Sequence, residues 1–260
     1  MSGNIVLQRE AQVATLLIDN PAKRNAISQR MWVQLAEHLD ALTADPALRC
    51  IVLRGAGELA FGSGADIDEF ETMRASKTQG IAYAAQAHRA MQALRNSPVP
   101  TLAAIRGACV GGGLEIAACC DLRIASDDAR LGIPIARLGG VLAYPELEAL
   151  LAAAGPQVAL ELLLEGRLLS AADAYAKGLV TRVVPVADWE AEIAASAARI
   201  AGLAPLSARW HKQFIRRLQA QAAPLTPAEQ EEGYACFDTQ DFVEGYRAFI
   251  DKRQPEFHGK

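Results

Sequence analysis

The stretch that decides the fold is Phe61–Phe70, FGSGADIDEF, followed by Ile105–Asp121, IRGACVGGGLEIAACCD. Both segments lead from glycine-rich sequence into the start of a predicted helix. Glycine frees the backbone for unusual dihedral angles, and the first turn of a helix contains N–H groups that have no intrahelical partner. Two such loops could therefore direct two N–H groups at one oxygen atom that carries or develops negative charge.

The triple glycine Gly111-Gly112-Gly113 fits two interpretations by itself, close packing of a helix against a strand or binding of an anion at the helix start. Glu115 favours the second because the helix around it is apolar, and a buried carboxylate is costly without a partner or a task. A first-turn glutamate stabilised by the helix dipole is the alternative. Glu115 is thus a candidate catalytic or substrate-facing residue.

The first glycine cluster ends at Asp66, which is predicted to cap the following helix. Asp66 and Glu69 have the spacing of a capping box, in which each side chain accepts a hydrogen bond from the other residue's backbone. A structural cap is the simplest interpretation of Asp66 when it is considered alone.

The rest of the chain alternates between predicted strands and predicted helices, which indicates an α/β fold. One amphipathic helix begins after the N-cap Ser28, and a second ends at Ser97-Pro98. Beyond Pro205 strand signals disappear, and helix starts are predicted at Thr226-Pro227 and at Asp241. The predicted strands are Val13–Asp19, Cys50–Leu53, Thr101–Ile105 and Asp121–Ala125.

Aromatic residues are concentrated in the helical tail, which contains eight of the fifteen in the chain. They fit either a packed helical cap or a subunit interface, where aromatic side chains are enriched. These residues are Trp210, Phe214, Tyr234, Phe237, Phe242, Tyr246, Phe249 and Phe257.

The composition of the 260-residue chain, with 51% hydrophobic and 22% charged residues, is that of an ordinary globular protein. Its net charge of −4 provides no general attraction for nucleic acid or for an anionic membrane. The N-terminus has no signal-peptide pattern, so we expect a soluble, cytoplasmic protein. Five cysteines and four scattered histidines show neither a disulfide framework nor the spacing of a metal site.

Together, the two glycine segments resemble the crotonase (enoyl-CoA hydratase/isomerase) family. The resemblance extends to Asn20–Ala26, Gly166–Val183 and Glu244–Phe257, and so covers nearly the whole chain. It implies a spiral of ββα turns with an acyl-CoA site over residues 1–200, and a helical trimerisation region over 201–260. It also implies a homotrimer or homohexamer.

The resemblance also implies residue roles. The backbone N–H groups of Ala65 and Gly112 would form an oxyanion hole for the thioester carbonyl, and Glu115 would be the first of two glutamates that share a water in hydratases. Coenzyme A would be part of the substrate, with no separate cofactor. The implied substrate and CoA contacts are Lys23, Arg24, Ala26, Ser63, Gly64, Asp66, Ile67, Gly111, Ile135 and Lys252.

Two features depart from the family pattern. The second hydratase glutamate is replaced by Ile135, and Asp68 stands where relatives often have a basic residue. Lys23 and Arg24 are the best candidates for contacting the CoA phosphates, with a solvated turn as the alternative.

Three hypotheses explain the missing glutamate. In the first, Glu115 acts alone in hydration or double-bond isomerisation of an enoyl-CoA. In the second, Tyr144 or Glu146 replaces the lost group and supports isomerisation, decarboxylation, thioester hydrolysis or another enolate reaction. In the third, the protein binds acyl-CoA without turnover. Without a catalytic role, Tyr144 would be an aromatic residue packed in a loop, and Glu146 would lie in the first turn of a helix.

Overall fold

The computed structural model describes residues 3–220, 226, 228 and 235–260. In this part of the chain, strands form a six-stranded sheet in the order β1-β2-β3-β5-β7-β10 and a four-stranded sheet in the order β4-β6-β8-β9. The pairs β1/β2 and β8/β9 are antiparallel and the others are parallel. The strands are β1 (Asn4–Glu10), β2 (Val13–Asp19), β3 (Cys50–Gly55), β4 (Ala60–Gly62), β5 (Thr101–Ile105), β6 (Ala108–Val110), β7 (Leu122–Ser126), β8 (Arg130–Gly132), β9 (Leu169–Ser170) and β10 (Arg182–Val184).

Helices follow the strands along the chain, and the largest of them pack on the sheets. Their bounds are α1 (Gln29–Thr43), α2 (Phe70–Met73), α3 (Lys77–Asn96), α4 (Gly112–Cys119), α5 (Tyr144–Glu165), α6 (Ala171–Ala176), α7 (Val186–Ala201), α8 (Pro205–Gln219) and α9 (Gln240–Ile250).

A ββα unit repeats three times and gives the molecule its spiral. In each unit the first strand joins the larger sheet, the second joins the smaller sheet, and a helix follows. The units are β3-β4 with α2 and α3, β5-β6 with α4, and β7-β8 with α5. The predicted α/β class and ββα repeat are confirmed.

The central strands of the larger sheet, β3, β5 and β7, are buried on both faces, as strands of parallel sheets usually are. Helices α1, α3 and α4 contribute to the main core on one face. Helix α7 covers the opposite face, where Trp189, Ile193 and Ala197 pack with strand residues such as Val52 and Leu102. This covering explains why the predicted strands read as continuous apolar runs.

Helix α5 is the only helix among the described residues that is long and apolar enough to cross a membrane, with a mean hydropathy of 1.5. It is interrupted at Gly155, whose φ of 75° is not helical, and Pro156 follows. At 1.5 Å per residue, neither half reaches the roughly 30 Å of a bilayer core. Helix α5 therefore consists of two short segments and not of one continuous span.

The described part of the tail contains helices α8 and α9, whereas residues 251–260 form no helix. The predicted helix start at Thr226-Pro227 and the aromatic Tyr234 lie outside the described residues, as do the side chains of Phe237, Tyr246 and Phe249. The aromatic side chains that are described lie partly or largely open to solvent in the single chain; they are Trp210, Phe214, Phe242 and Phe257. A role in subunit contacts stays a prediction.

Candidate active site

A cavity of about 450 Å³ lies between the two glycine loops, helix α3 and the segment that leads into α5. Among the predicted site residues, six from the glycine loops line it: Ser63, Gly64, Ala65, Ile67, Gly111 and Gly112. The cavity is also lined by Glu115, Ile135 and Glu146. Residues far apart in the sequence thus meet at one cavity.

Two backbone N–H groups face this cavity without a partner from secondary structure. Ile27 pairs with the residues on either side of Ala65, since Ile27 N–H donates to Gly64 O at 2.8 Å and Asp66 N–H donates to Ile27 O at 3.0 Å. Successive N–H groups of an extended segment point in opposite directions, so that of Ala65 points away from Ile27. Gly112 is the first residue of α4, where N–H groups have no intrahelical acceptor.

Close contact between the glycine loops places these two donors side by side. A Cβ atom built on Gly112 would lie 3.8 Å from Ala65 N, and one built on Gly64 would lie 3.8 Å from Gly112 N. Gly64 and Gly111 have φ values of 105° and 51°, which side-chain-bearing residues rarely adopt. The glycines are therefore required by both the loop conformation and the loop contact.

Two buried asparagines fix the loop that precedes Ile27. Asn25 Nδ2 donates to Ala60 O at 2.6 Å and to Ala56 O at 2.9 Å, while Asn20 Nδ2 donates to Ala26 O at 2.8 Å. Asn25 Oδ1 accepts from Asn20 N at 3.0 Å. No role was predicted for these two side chains, although two asparagines in one short loop are a typical sign of side-chain-to-backbone hydrogen bonds.

Burial of the Glu115 side chain raises its pKa from 4.5 to about 8. The negative charge of Glu146 adds to this increase, and the positive charge of Arg74 opposes it. Glu115 therefore holds a proton at neutral pH. A protonated carboxylic acid beside two N–H donors can supply a proton to a bound molecule.

Glu146 lies in the first turn of α5 and also faces the cavity. Its Oε1 is 3.0 Å from His88 Nε2, and its Oε2 accepts a hydrogen bond from the N-cap residue Ala143. The two alternatives considered for Glu146, a first-turn residue and a pocket residue, therefore both apply. His88 was not identified as a site residue from the sequence.

Tyr144 is not brought to the cavity. Its side chain is 88% exposed and lies on the outer side of α5, near Met91 and Arg95. Residues two positions apart on a helix point in nearly opposite directions, so Tyr144 and Glu146 cannot both face the same space. Of the two candidate replacements for the missing glutamate, only Glu146 reaches the cavity.

Ile135 follows Pro134 at the start of a 3-10 turn that ends at Leu138, and its side chain lines the cavity. Gly140 packs closely on it, since a Cβ atom built there would lie 2.9 Å from Ile135 Cγ1. The site therefore presents an apolar surface at the position where the resemblance leads one to expect a carboxylate.

The Lys23 ammonium is already paired, at 2.6 Å from Asp66 and 2.8 Å from Asp68, and these carboxylates raise its pKa. A phosphate would have to compete with both. Arg24 is exposed and has no ion pair within the described part of the chain. Neither residue lines the cavity.

Other predicted positions also differ from the expected arrangement. Asp66 caps a 3-10 turn by accepting from Asp68 N at 3.3 Å, but the predicted capping box is wrong. The Glu69 carboxylate instead accepts from Gln29 N at 2.8 Å, because Asp66 N–H is used by Ile27. Ala26 is buried, and Lys252 is exposed in the tail and does not line the cavity.

Comparison with known proteins agrees with this architecture. The family model for enoyl-CoA hydratase/isomerase matches residues 8–260. The chain belongs to this family. The chain is therefore an enoyl-CoA hydratase-like enzyme.

Three members of the enoyl-CoA hydratase/isomerase family illustrate the similarity. A crotonyl-CoA hydratase of Syntrophomonas wolfei is 30% identical, over 99% of this chain and 98% of the relative. A short-chain-enoyl-CoA hydratase of Clostridium acetobutylicum is 31% identical, over 97% of each. The crystal structure of an enoyl-CoA hydratase/carnithine racemase from Magnetospirillum magneticum has a TM-score of 0.96 and 46% identity, over 98% of this chain and 96% of that one.

Proposed function

We propose that this enzyme adds water to a 2-enoyl-CoA and that Glu115 and Glu146 share the proton transfers. The observation that carries the proposal is the presence of two carboxyl groups in one cavity, beside the N–H groups of Ala65 and Gly112. The names of the two hydratase relatives support it. The sequence predicted Glu115 and left Tyr144 and Glu146 as candidate replacements for the missing glutamate. The geometry of α5 is the reason for choosing Glu146.

The thioester oxygen would lie between the N–H groups of Ala65 and Gly112. Addition to the β-carbon moves electrons onto that oxygen, so donors held in place there stabilise the enolate more than the ground state. One such donor can contribute about 3–4 kcal/mol to barrier lowering. The start of α4 adds a favourable helix dipole.

The two carboxyl groups would have opposite roles. The Glu146 carboxylate takes a proton from water as the water oxygen bonds to the β-carbon, and the double-bond electrons move to the thioester oxygen. The protonated Glu115 then gives its proton to the α-carbon as the enolate collapses. The two glutamates are returned to their starting states by proton exchange with solvent.

Double-bond isomerisation is the second candidate because Ile135 leaves an apolar surface where a water-binding carboxylate is expected. In that reaction ionised Glu115 would remove a proton from one carbon, and the resulting acid would return it to another. The site needs no bound water for this.

Glu146→Gln is expected to lower the rate of crotonyl-CoA hydration by about 100-fold or more, because the amide cannot accept a proton from water. Product formation in ¹⁸O-labelled water, followed by mass spectrometry, measures the addition directly. Glu148→Gln is the matched control, since Glu148 lies two residues on, is exposed and pairs with Arg95. Equal rates for both variants would exclude Glu146 as the base.

The pH profile distinguishes the two candidate reactions. If Glu115 is the acid in hydration, kcat/KM falls as the pH rises through about 8, where the raised pKa of Glu115 removes its proton. If Glu115 is the base in isomerisation, kcat/KM rises through the same pH. Rates measured between about pH 6 and pH 10, with crotonyl-CoA and with a 3-enoyl-CoA, show whether kcat/KM rises or falls with pH. A flat profile would contradict both roles.

A further inference from the structure

Arg74 is a cation in the cavity wall for which the proposed reaction has no use. It follows α2, and its guanidinium lies 3.8 Å from the centre of the Tyr83 ring and 4.9 Å from that of Phe70. Within the described residues no carboxylate oxygen lies within 4.0 Å of it. Stacking on two rings holds the guanidinium in place without neutralising its charge.

The surroundings of Arg74 make an anionic ligand favourable. Much of the nearby cavity wall is apolar, with Phe70, Ala84, Ala87, Val141 and Leu142 among its residues. A charge interacts more strongly in such surroundings than in water. The planar guanidinium can bind a carboxylate through two parallel hydrogen bonds.

Neither of the two glutamates in the cavity provides the negative charge that would pair with Arg74. Glu146 is held by His88 and by the Ala143 N–H group. Glu115 is protonated at neutral pH, as described above. Arg74 and Glu115 line the same cavity, and the positive charge of Arg74 opposes the increase in the pKa of Glu115. Lys23 and Arg24, the predicted phosphate contacts, lie outside the cavity lining.

We propose that the preferred acyl group carries a second carboxylate at its far end, and that Arg74 binds this carboxylate while the thioester lies at Ala65 and Gly112. The substrate class would then be CoA monoesters of dicarboxylic acids. This inference rests on the proposed function, because it assumes that the thioester oxygen lies between those two N–H groups.

Binding of saturated CoA esters tests the inference without turnover. Matched pairs differ only in a terminal carboxylate or methyl group: succinyl and butyryl, glutaryl and pentanoyl, adipyl and hexanoyl. Isothermal titration is expected to give at least about tenfold tighter binding of the carboxylated member in one pair or more. Arg74→Met should reduce that ratio to near one. Arg89→Met is the control, because Arg89 is exposed and pairs with Asp40 at 2.7 Å.

Other outcomes overturn the inference in distinguishable ways. If the unsubstituted enzyme binds the carboxylated and the methyl-ended ester of every pair equally, the inference is wrong and the proposed function is unaffected. Equal weakening of both members by Arg74→Met would show that Arg74 acts on the CoA portion or on cavity shape. Arg74→Gln, which retains a polar side chain without the positive charge, must also lose the preference if it folds. Failure of every ester to bind would remove the proposed function as well.

Discussion

Replacement of Glu115 by glutamine is expected to lower kcat for hydration by about 1,000-fold, because the amide cannot deliver a proton to the α-carbon. Binding of butyryl-CoA should change little, since the proposed donors to the thioester oxygen are the backbone N–H groups of Ala65 and Gly112. Loss of the enoyl-thioester absorbance measures the rate, and titration calorimetry measures binding. Retained activity would assign the proton transfer to another residue.

The same substitution should stabilise the fold, and by an amount that depends on pH. The folded-state pKa of Glu115 is about 8, above its ordinary value of 4.5, so the native protein binds an extra proton between these values. Because Glu115 ionises more easily in the unfolded chain, its carboxyl group lowers the free energy of unfolding. This effect is absent below about pH 4.5 and reaches its full value above about pH 8. Glu115→Gln should therefore increase the free energy of unfolding by about 1 kcal/mol at pH 5.5 and by about 4–5 kcal/mol at pH 8.5.

Urea unfolding at the two pH values measures this difference. An equal increase in the free energy of unfolding at both pH values would indicate that glutamine packs better, and not that the loss of an ionisable group stabilises the fold. No gain at pH 8.5 would mean that the carboxyl is well solvated in the free enzyme. The expected combination of a more stable and less active protein is typical of a group whose burial serves catalysis.

The central strands and α1 could be predicted because their signals are local. Apolar runs such as Cys50–Leu53 require burial on both faces, and Ser28 caps α1 by accepting from Met31 N at 3.3 Å. Strand β1 was missed because Gln8, Arg9 and Glu10 give it a polar end. Its pairing with β2 along all seven residues determines the strand, and that pairing is not local.

The candidate site was predictable to the extent that the backbone forms it. Glycines and an apolar helix around Glu115 are visible in the sequence, and they indicated the loops that meet at the cavity. The contact between His88 and Glu146 depends on how α3 packs beside α5, across 58 positions of sequence. Arg74 lies four residues after Phe70, but its closer contact is with Tyr83 in α3. No sequence spacing indicates the contact of Arg74 with Tyr83 or that of His88 with Glu146.

Gly113→Ala is expected to destabilise the fold by about 2–4 kcal/mol and to lower kcat by about 100-fold. A Cβ atom on Gly113 would lie 2.8 Å from the carbonyl carbon of Gly62 and closer still to its oxygen. These are backbone atoms, which cannot rotate away as a flexible side chain could, so the two loops must separate. Because Gly112 precedes the substituted residue and Ala65 lies in the opposite loop, their N–H groups would separate as well.

Urea unfolding and the hydration assay on the folded fraction measure the two effects. Gly80→Ala is the matched control for stability, since it lies in α3 and a Cβ atom there would meet nothing within 4 Å. Alanine in a helix should increase stability at this position by about 0.5–1 kcal/mol. A stable Gly113→Ala protein with full activity would contradict the dependence of the oxyanion hole on this loop contact. Lost stability with full kcat in the folded fraction would restrict Gly113 to a structural role and leave the donors correctly spaced.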